Sequence, residues 1–283
     1  MFSISENIPF AFNESLINHN TKNMDIPKNP EYYQKLEKID KSKWYYTDKD
    51  IDYFHNEYGY RCDLISDIKD NDYVLTFGCS YSYGFGLFYE DTYSYKLSKS
   101  LGLKNINLSV CGTGIGFHVT NSTLFLNYLL TQNLRLPKYV IYQYPSWSRM
   151  SYFKSEKYFD KTFLLSSTTS SSSENKLDYT NSFYKNYWIV NAGESFKQSM
   201  VSPIYINNMW ISLGVPIFHI DFGDFEQEKY KSNYQNFSII NYREHSGDNY
   251  EEYLYELARD LSHNGKNFHD IVFKDILKKI KYG

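Results

Sequence analysis

Tyr73-Val74-Leu75-Thr76-Phe77-Gly78-Cys79-Ser80-Tyr81-Ser82-Tyr83-Gly84 reads as a strand that ends in a sharp turn carrying a serine. Tyr73 to Phe77 is a short β-branched and aromatic run, long enough for one buried strand. Gly78 lets the backbone turn, and Gly84 and Gly86 leave the following segment free to approach its neighbours closely. A serine at such a turn presents its hydroxyl at the carboxyl end of a strand, where open α/β sheets place their ligands. Taken alone, Gly-x-Ser beside a strand is more often simply a loop.

The far end of the chain gives the serine a partner. Arg259-Asp260-Leu261-Ser262-His263-Asn264-Gly265 sets a carboxylate just before a histidine, ahead of a C-terminal amphipathic segment. Serine is a weak nucleophile until a base takes its proton, and that base works best when a carboxylate fixes its tautomer. One short turn can hold Asp260 on one ring nitrogen of His263 and leave the other for Ser80. The bland alternative is that Asp260 caps a helix and His263 lies at the surface; Asp-x-x-His by itself favours that alternative.

Together the two segments resemble the SGNH/GDSL hydrolases, whose serine lies in a Gly-Asp-Ser motif near the first strand and whose Asp-x-x-His lies near the C-terminus. Here the first motif is Gly78-Cys79-Ser80, with Cys79 in place of an Asp that is not a triad member. His263-Asn264-Gly265-Lys266-Asn267-Phe268-His269 resembles the family's His-Pro-x-x-x-Gly-His pattern without its Pro and second Gly. Asn56-Glu57-Tyr58-Gly59-Tyr60-Arg61 resembles the Asn-x-x-Gly-Phe-Arg segment found in some members. The resemblance runs from about residue 56 to the end, with a divergent middle. It implies an α/β fold of three α/β/α layers on a flavodoxin-like parallel sheet. It also implies a triad of Ser80, Asp260 and His263.

The family's second block supplies a backbone donor from a glycine after the second strand. Ile106 to Val110 reads as that strand, and Cys111-Gly112-Thr113-Gly114-Ile115-Gly116 follows it. Gly112 is the expected donor, its N–H joining that of Ser80 in an oxyanion hole. The rival is a dinucleotide fingerprint, which needs an acidic residue about 20 residues on; Leu130 to Ile141 has none. The third block departs from the family: Lys138 to Tyr142 runs into Gln143-Tyr144-Pro145-Ser146-Trp147 without the expected Asn. Gln143 is the candidate replacement donor, against an equal expectation that it is a polar strand terminus.

Other elements follow the alternation of periods. Glu90 to Leu101, Gly116 to Asn133, Glu251 to Leu257 and Phe268 to Ile280 read as helices, and Val215 to Asp221 and Phe237 to Tyr242 as strands. Residues 1–70 are expected to form an N-terminal extension wrapping the domain. Residues 71–283 form the hydrolase-like domain, with an insertion at about 150–200 that holds the Ser166 to Ser173 low-complexity run and a helix from Tyr184.

Composition narrows the function classes. The net charge of −3 offers no basic footprint for nucleic acid. Thirty Tyr suit sugar stacking, but the wealth of Asn, Lys and Ile favours a compositional origin. Cys62, Cys79 and Cys111 make no disulfide framework and fit no zinc spacing, so free thiols, no metal and no cofactor are expected. No secretory signal or membrane-length apolar run is evident, which suggests a cytoplasmic or virion-associated protein. The expected activity is serine ester hydrolysis of a small acyl group on a carbohydrate or similar ester. The alternatives are a degenerate glycan-binding or assembly module and an O-acyltransferase.

Overall fold

Every residue of Tyr73–Phe77 is buried, as a strand covered on both faces requires. A computed structural model describes residues 2–3, 12–13, 16–145, 192–221, 238–241 and 250–282. Two small antiparallel pairs, β1 (Phe2–Ser3) with β2 (Phe12–Asn13) and β3 (Asn20–Lys22) with β4 (Asp52–Phe54), precede the main sheet. That sheet comprises β5 (Tyr73–Phe77), β6 (Lys104–Asn107), β7 (Tyr139–Gln143), β8 (Ile217–Asp221) and β9 (Ser238–Asn241). The order is β6-β5-β7-β8-β9, and every pairing is parallel. The chain therefore starts in the interior of the sheet, moves out to one edge and crosses back, the doubly wound order of flavodoxin-like folds.

The helices are α1 (Pro30–Glu37), α2 (Ser80–Tyr83), α3 (Tyr93–Leu101), α4 (Ile115–Thr131), α5 (Ala192–Ile211), α6 (Tyr250–Glu256) and α7 (Lys266–Tyr282). Successive strand residues face opposite layers. Leu75, Phe77, Val140 and Tyr142 pack with Phe125 and Leu129 of α4 and Ile206 and Trp210 of α5. Val74, Ile141, Phe218 and Ile220 pack with Tyr93 and Leu97 of α3 and Val272 and Ile276 of α7. Each fully buried side chain of this kind contributes about 1.5–3 kcal/mol. The result is the three-layer α/β/α fold expected from the sequence.

A third core joins the N-terminal segment to the loops at the carboxyl ends of the strands. Tyr32, Ile39, Trp44, Tyr46, Ile51 and Tyr53 pack against Tyr83 and Leu87 after the serine, and against Leu254, Leu257, Ala258 and Leu261 before the histidine. Arg61 is buried there without a carboxylate contact among the described residues. Its guanidinium donates to the carbonyls of Gly84, Leu87 and Asp52 at 2.7, 2.9 and 3.0 Å, and lies 4.3 Å from the centre of the Tyr53 ring. Asn56 closes the preceding turn by accepting from Tyr58 and Tyr60 N–H, both at 3.0 Å. The Asn56 to Arg61 segment thus acts as a brace under the serine loop.

Several element boundaries shift from expectation for local reasons. The helix expected from Glu90 begins at Tyr93, because Thr92 caps it through its side chain and Tyr89–Asp91 forms a separate 3-10 turn. The second strand spans Lys104–Asn107 rather than Ile106 to Val110; the Asn107 carboxamide accepts from Ser109 N–H and donates to Ser82 O. A helix is expected from Tyr184 within the insertion; α5, described from Ala192, extends past about residue 200 to Ile211, ahead of the fourth strand. Pro203 interrupts its sequence pattern, yet Pro203, Ile206, Asn207 and Trp210 form a buried stripe at helical spacing. The Ser166 to Ser173 run and the start of the helix expected from Tyr184 lie outside the described residues.

Candidate active site

The serine turn is built by crowding. Strand β5 ends at Phe77, Cys79 is extended, and Ser80 opens the one-turn helix α2, which Gly84 ends at φ +77°. A Cβ at Gly78 would lie 2.2 Å from Ser82 Oγ and 2.8 Å from Gln143 Oε1, so only glycine lets the turn close on itself. Leaving the strand this way carries the Ser80 hydroxyl to the carboxyl end of the sheet.

The second half of the site comes from the turn between α6 and α7. Ala258 N–H donates to His263 O at 2.8 Å and Gly265 N–H to Glu256 O at 2.8 Å, which closes the loop at its base. Leu261 takes φ +54°, an uncommon conformation for a branched side chain. Asp260 uses one oxygen to accept from the N–H groups of Ser262 and His263, at 3.3 and 3.1 Å. Its other oxygen lies 2.5 Å from His263 Nδ1, and His263 Nε2 lies 2.7 Å from Ser80 Oγ. Carboxylate, imidazole and hydroxyl therefore form one continuous row. With Nδ1–H held by the carboxylate, Nε2 carries the lone pair that faces Ser80.

His263 is the least buried member of this row. The Asp260 side chain is 3% exposed and that of His263 is 19%, with Ser80 at 6%. The rings of Tyr81 and Phe85, both half-buried, flank His263 with centroids 4.9 and 5.5 Å from the imidazole. Nothing in the motif spacing pointed to these two rings; they reach the histidine because the serine loop folds across it. Gly86 marks the closest approach of the two loops. It has φ +79°, and a Cβ there would lie 2.8 Å from Ala258 Cβ and 3.1 Å from Asp260 Oδ1.

The expected oxyanion donors fare differently. Gly112 lies in the turn between β6 and α4 with φ +79°. Among the described residues, neither its backbone N–H nor that of Ser80 donates a hydrogen bond. Gln143 does not take the role expected of it. Its side chain is completely buried, its Oε1 accepts from Cys79 N–H at 2.9 Å and Ser82 Oγ at 3.1 Å, and its Nε2 donates to Tyr144 O. A backbone N–H can only donate, so the amide oxygen must face the serine turn and the amide nitrogen must face away. Gln143 thereby braces the turn from beneath the sheet end.

Cys62, Cys79 and Cys111 form no disulfide. His269, on α7, accepts from Tyr93 N–H at 3.1 Å, and burial, then the nearby Lys96 charge, pushes its pKa down to about 3. It serves the core rather than the row. Among the described residues, no group of three or more His, Cys, Asp or Glu is placed to hold a metal ion, and no helix is long and apolar enough to cross a membrane.

No protein-family model matches the chain, and no curated protein matches it in sequence. Solved structures do resemble it. One, from Desulfitobacterium hafniense DCB-2 and assigned as a lipolytic protein of the G-D-S-L family, aligns over 73% of this chain and 98% of its own, with TM-score 0.43 and 9% identity. A carbohydrate esterase family 2 enzyme with a carbohydrate-binding domain, from Corynascus thermopiles (Myceliophthora fergusii), aligns over 74% of this chain and 65% of its own, with TM-score 0.42 and 11% identity. The acetyl xylan esterase Est2A from the rumen bacterium Butyrivibrio proteoclasticus aligns over 74% and 63%, with TM-score 0.40 and 12% identity. The chain spans less than two thirds of the length of these last two.

Proposed function

We propose that this chain is a serine ester hydrolase of the SGNH/GDSL type that works through an acyl-enzyme. The observation that carries the reading is the row Asp260–His263–Ser80, with contacts of 2.5 and 2.7 Å in the order such chemistry needs. Ser80 Oγ attacks the ester carbonyl while His263 Nε2 takes its proton. Asp260 keeps the imidazole in the required tautomer and stabilises the imidazolium. The tetrahedral oxyanion is held by Ser80 and Gly112 N–H, and each such donor is worth about 10²–10³ in rate. His263 returns the proton to the leaving alcohol. Water, activated by the same nitrogen, then attacks the acyl-enzyme and releases the acid and free Ser80.

The substrate is a small acyl ester of a carbohydrate or similar alcohol. Tyr81 and Phe85 beside His263 supply flat apolar walls of the sort on which sugar C–H faces stack. An acyltransferase would differ only in replacing water with an acceptor hydroxyl.

One observation favours the rival reading, a non-catalytic binding module: the Gln143 amide nitrogen, the side-chain donor the third block would supply, donates to Tyr144 O while its oxygen faces the serine turn. Hydrolysis of p-nitrophenyl acetate and butyrate by wild type beside Ser80→Ala separates the two. The hydrolase reading expects turnover that disappears in the alanine variant while the fold persists. Equal rates in both proteins, or none in either, would overturn it.

A further inference from the structure

A buried carboxylate far from the serine in sequence ties the two halves of the site together. Asp25, whose side chain is 0% exposed, binds Arg259 through both oxygens, Oδ2 to Nε at 2.8 Å and Oδ1 to Nη2 at 2.5 Å. Arg259 is the residue immediately before Asp260. Its third side-chain contact, Nη1 to Lys49 O at 2.7 Å, comes from the same N-terminal segment. Its backbone N–H donates to Gly86 O at 3.0 Å, and Gly86 N–H donates to Tyr53 OH at 2.9 Å. Burial, and then the charge of the Asp25 carboxylate, pushes the Tyr53 phenol up. Asp25 thus holds the histidine turn through Arg259, whose backbone N–H reaches the serine loop at Gly86, where Tyr53 of the same N-terminal segment also makes contact.

The geometry points to Asp25 as a positioning residue for the triad: through Arg259 it sets the spacing between the Ser80 loop and the Asp260–His263 turn. Where the two loops meet, neither 84–87 nor 259–263 belongs to a helix or strand. The turn contains Leu261 at positive φ, and Gly86 leaves no room for a side chain between the loops. A planar guanidinium held by a fork of two oxygens fixes direction as well as distance. The N-terminal segment is on this account a working part of the site. The inference rests on the hydrolase reading only for what the positioned groups do, not for their positioning.

Two readouts test it on the full chain. The first is the rate of covalent labelling of Ser80 by a fluorophosphonate, in which the serine oxygen bonds phosphorus, fluoride leaves and His263 takes the proton. The second is the low-field proton resonance of His263 Nδ1–H, assigned by its loss in Asp260→Asn. In Asp25→Asn the maximal labelling rate should fall about 10²-fold, the cost of a displacement near 1 Å between reacting groups. Reversible probe binding should be unchanged, and the low-field resonance should be lost or moved. Leu97→Ala, in the core on the opposite layer, controls for a general loss of stability and should keep both readouts.

If Asp25→Asn does not fold, Arg259→Lys keeps the charge but loses the two-pronged contact with Asp25 and should still slow labelling, by a smaller factor. A folded Asp25→Asn, or failing that Arg259→Lys, with wild-type labelling and resonance overturns the inference. Wild-type protein that does not label at all defeats the hydrolase reading instead, and the resonance then decides the positioning by itself.

Discussion

Acidification from pH 7.5 to 5.0 should weaken this fold through histidines that stand outside the proposed chemistry. His219 on β8 and His269 on α7 are completely buried. His219 contacts Tyr144 OH through Nδ1 and Asn207 Oδ1, at 3.0 Å, through Nε2. Burial, reinforced by the Lys279 charge for His219 and the Lys96 charge for His269, lowers both pKa values to about 3. An unfolded histidine titrates near 6.5. Above that value neither state binds the proton, so nothing is lost. Below it the unfolded chain binds protons that the folded one refuses until about 3, and stability falls as the pH falls. Integrating between pH 7.5 and 5.0 gives about 2 kcal/mol per histidine, or about 4 kcal/mol for the pair. That is a large share of the ~5–15 kcal/mol that holds a typical domain together. His55, its pKa lowered chiefly by burial, acts in the same direction. The assay is urea unfolding followed by tryptophan fluorescence at both pH values, in wild type and in His269→Asn. Asparagine keeps an acceptor for Tyr93 N–H but takes up no proton, so the variant should lose about 2 kcal/mol less than wild type over the same interval. An equal loss in both proteins, or a wild-type loss under about 1 kcal/mol, would refute the reasoning.

Two further expectations concern the loops themselves. Asp260→Asn removes the acceptor that selects the His263 tautomer, and steady-state kcat on p-nitrophenyl acetate should fall by about 10³–10⁴ with the melting temperature little changed. Gly86→Ala forces a side chain onto a left-handed backbone against Ala258 and Asp260. It should cost about 2–4 kcal/mol in chemical unfolding and depress the esterase rate by driving the two loops apart; a variant with wild-type stability would show that the loops are not in contact there.

The legible parts of this chain were those whose cause is local. Tyr73 to Phe77 is a strand by composition and length. The α3 segment is a helix by its 3.6 period, though its start required recognising Thr92 as the cap. The pairing of Asp260 with His263 is equally local, since one tight turn presents both groups. The extent of helix α5 is harder to read, because Pro203 hides a buried stripe that the spacing of Ile206, Asn207 and Trp210 still carries. The orientation of Gln143 is hidden for a different reason. An amide offers a donor and an acceptor, and which one faces the serine turn depends on Cys79 N–H lying opposite, a fact of packing.

By itself the sequence determined a parallel α/β sheet, a serine at the end of its first strand and a carboxylate–imidazole pair near the other terminus, because hydrophobic period, turn residues and short spacing act over a few residues. Only the tertiary structure decided that Ser80 and His263, 183 residues apart, lie 2.7 Å from each other. It alone decided that Asp25, 234 residues from Arg259, holds the turn beside them. Contacts of that range are set by how layers and loops pack once the chain has closed on itself, and no local pattern of residues encodes them.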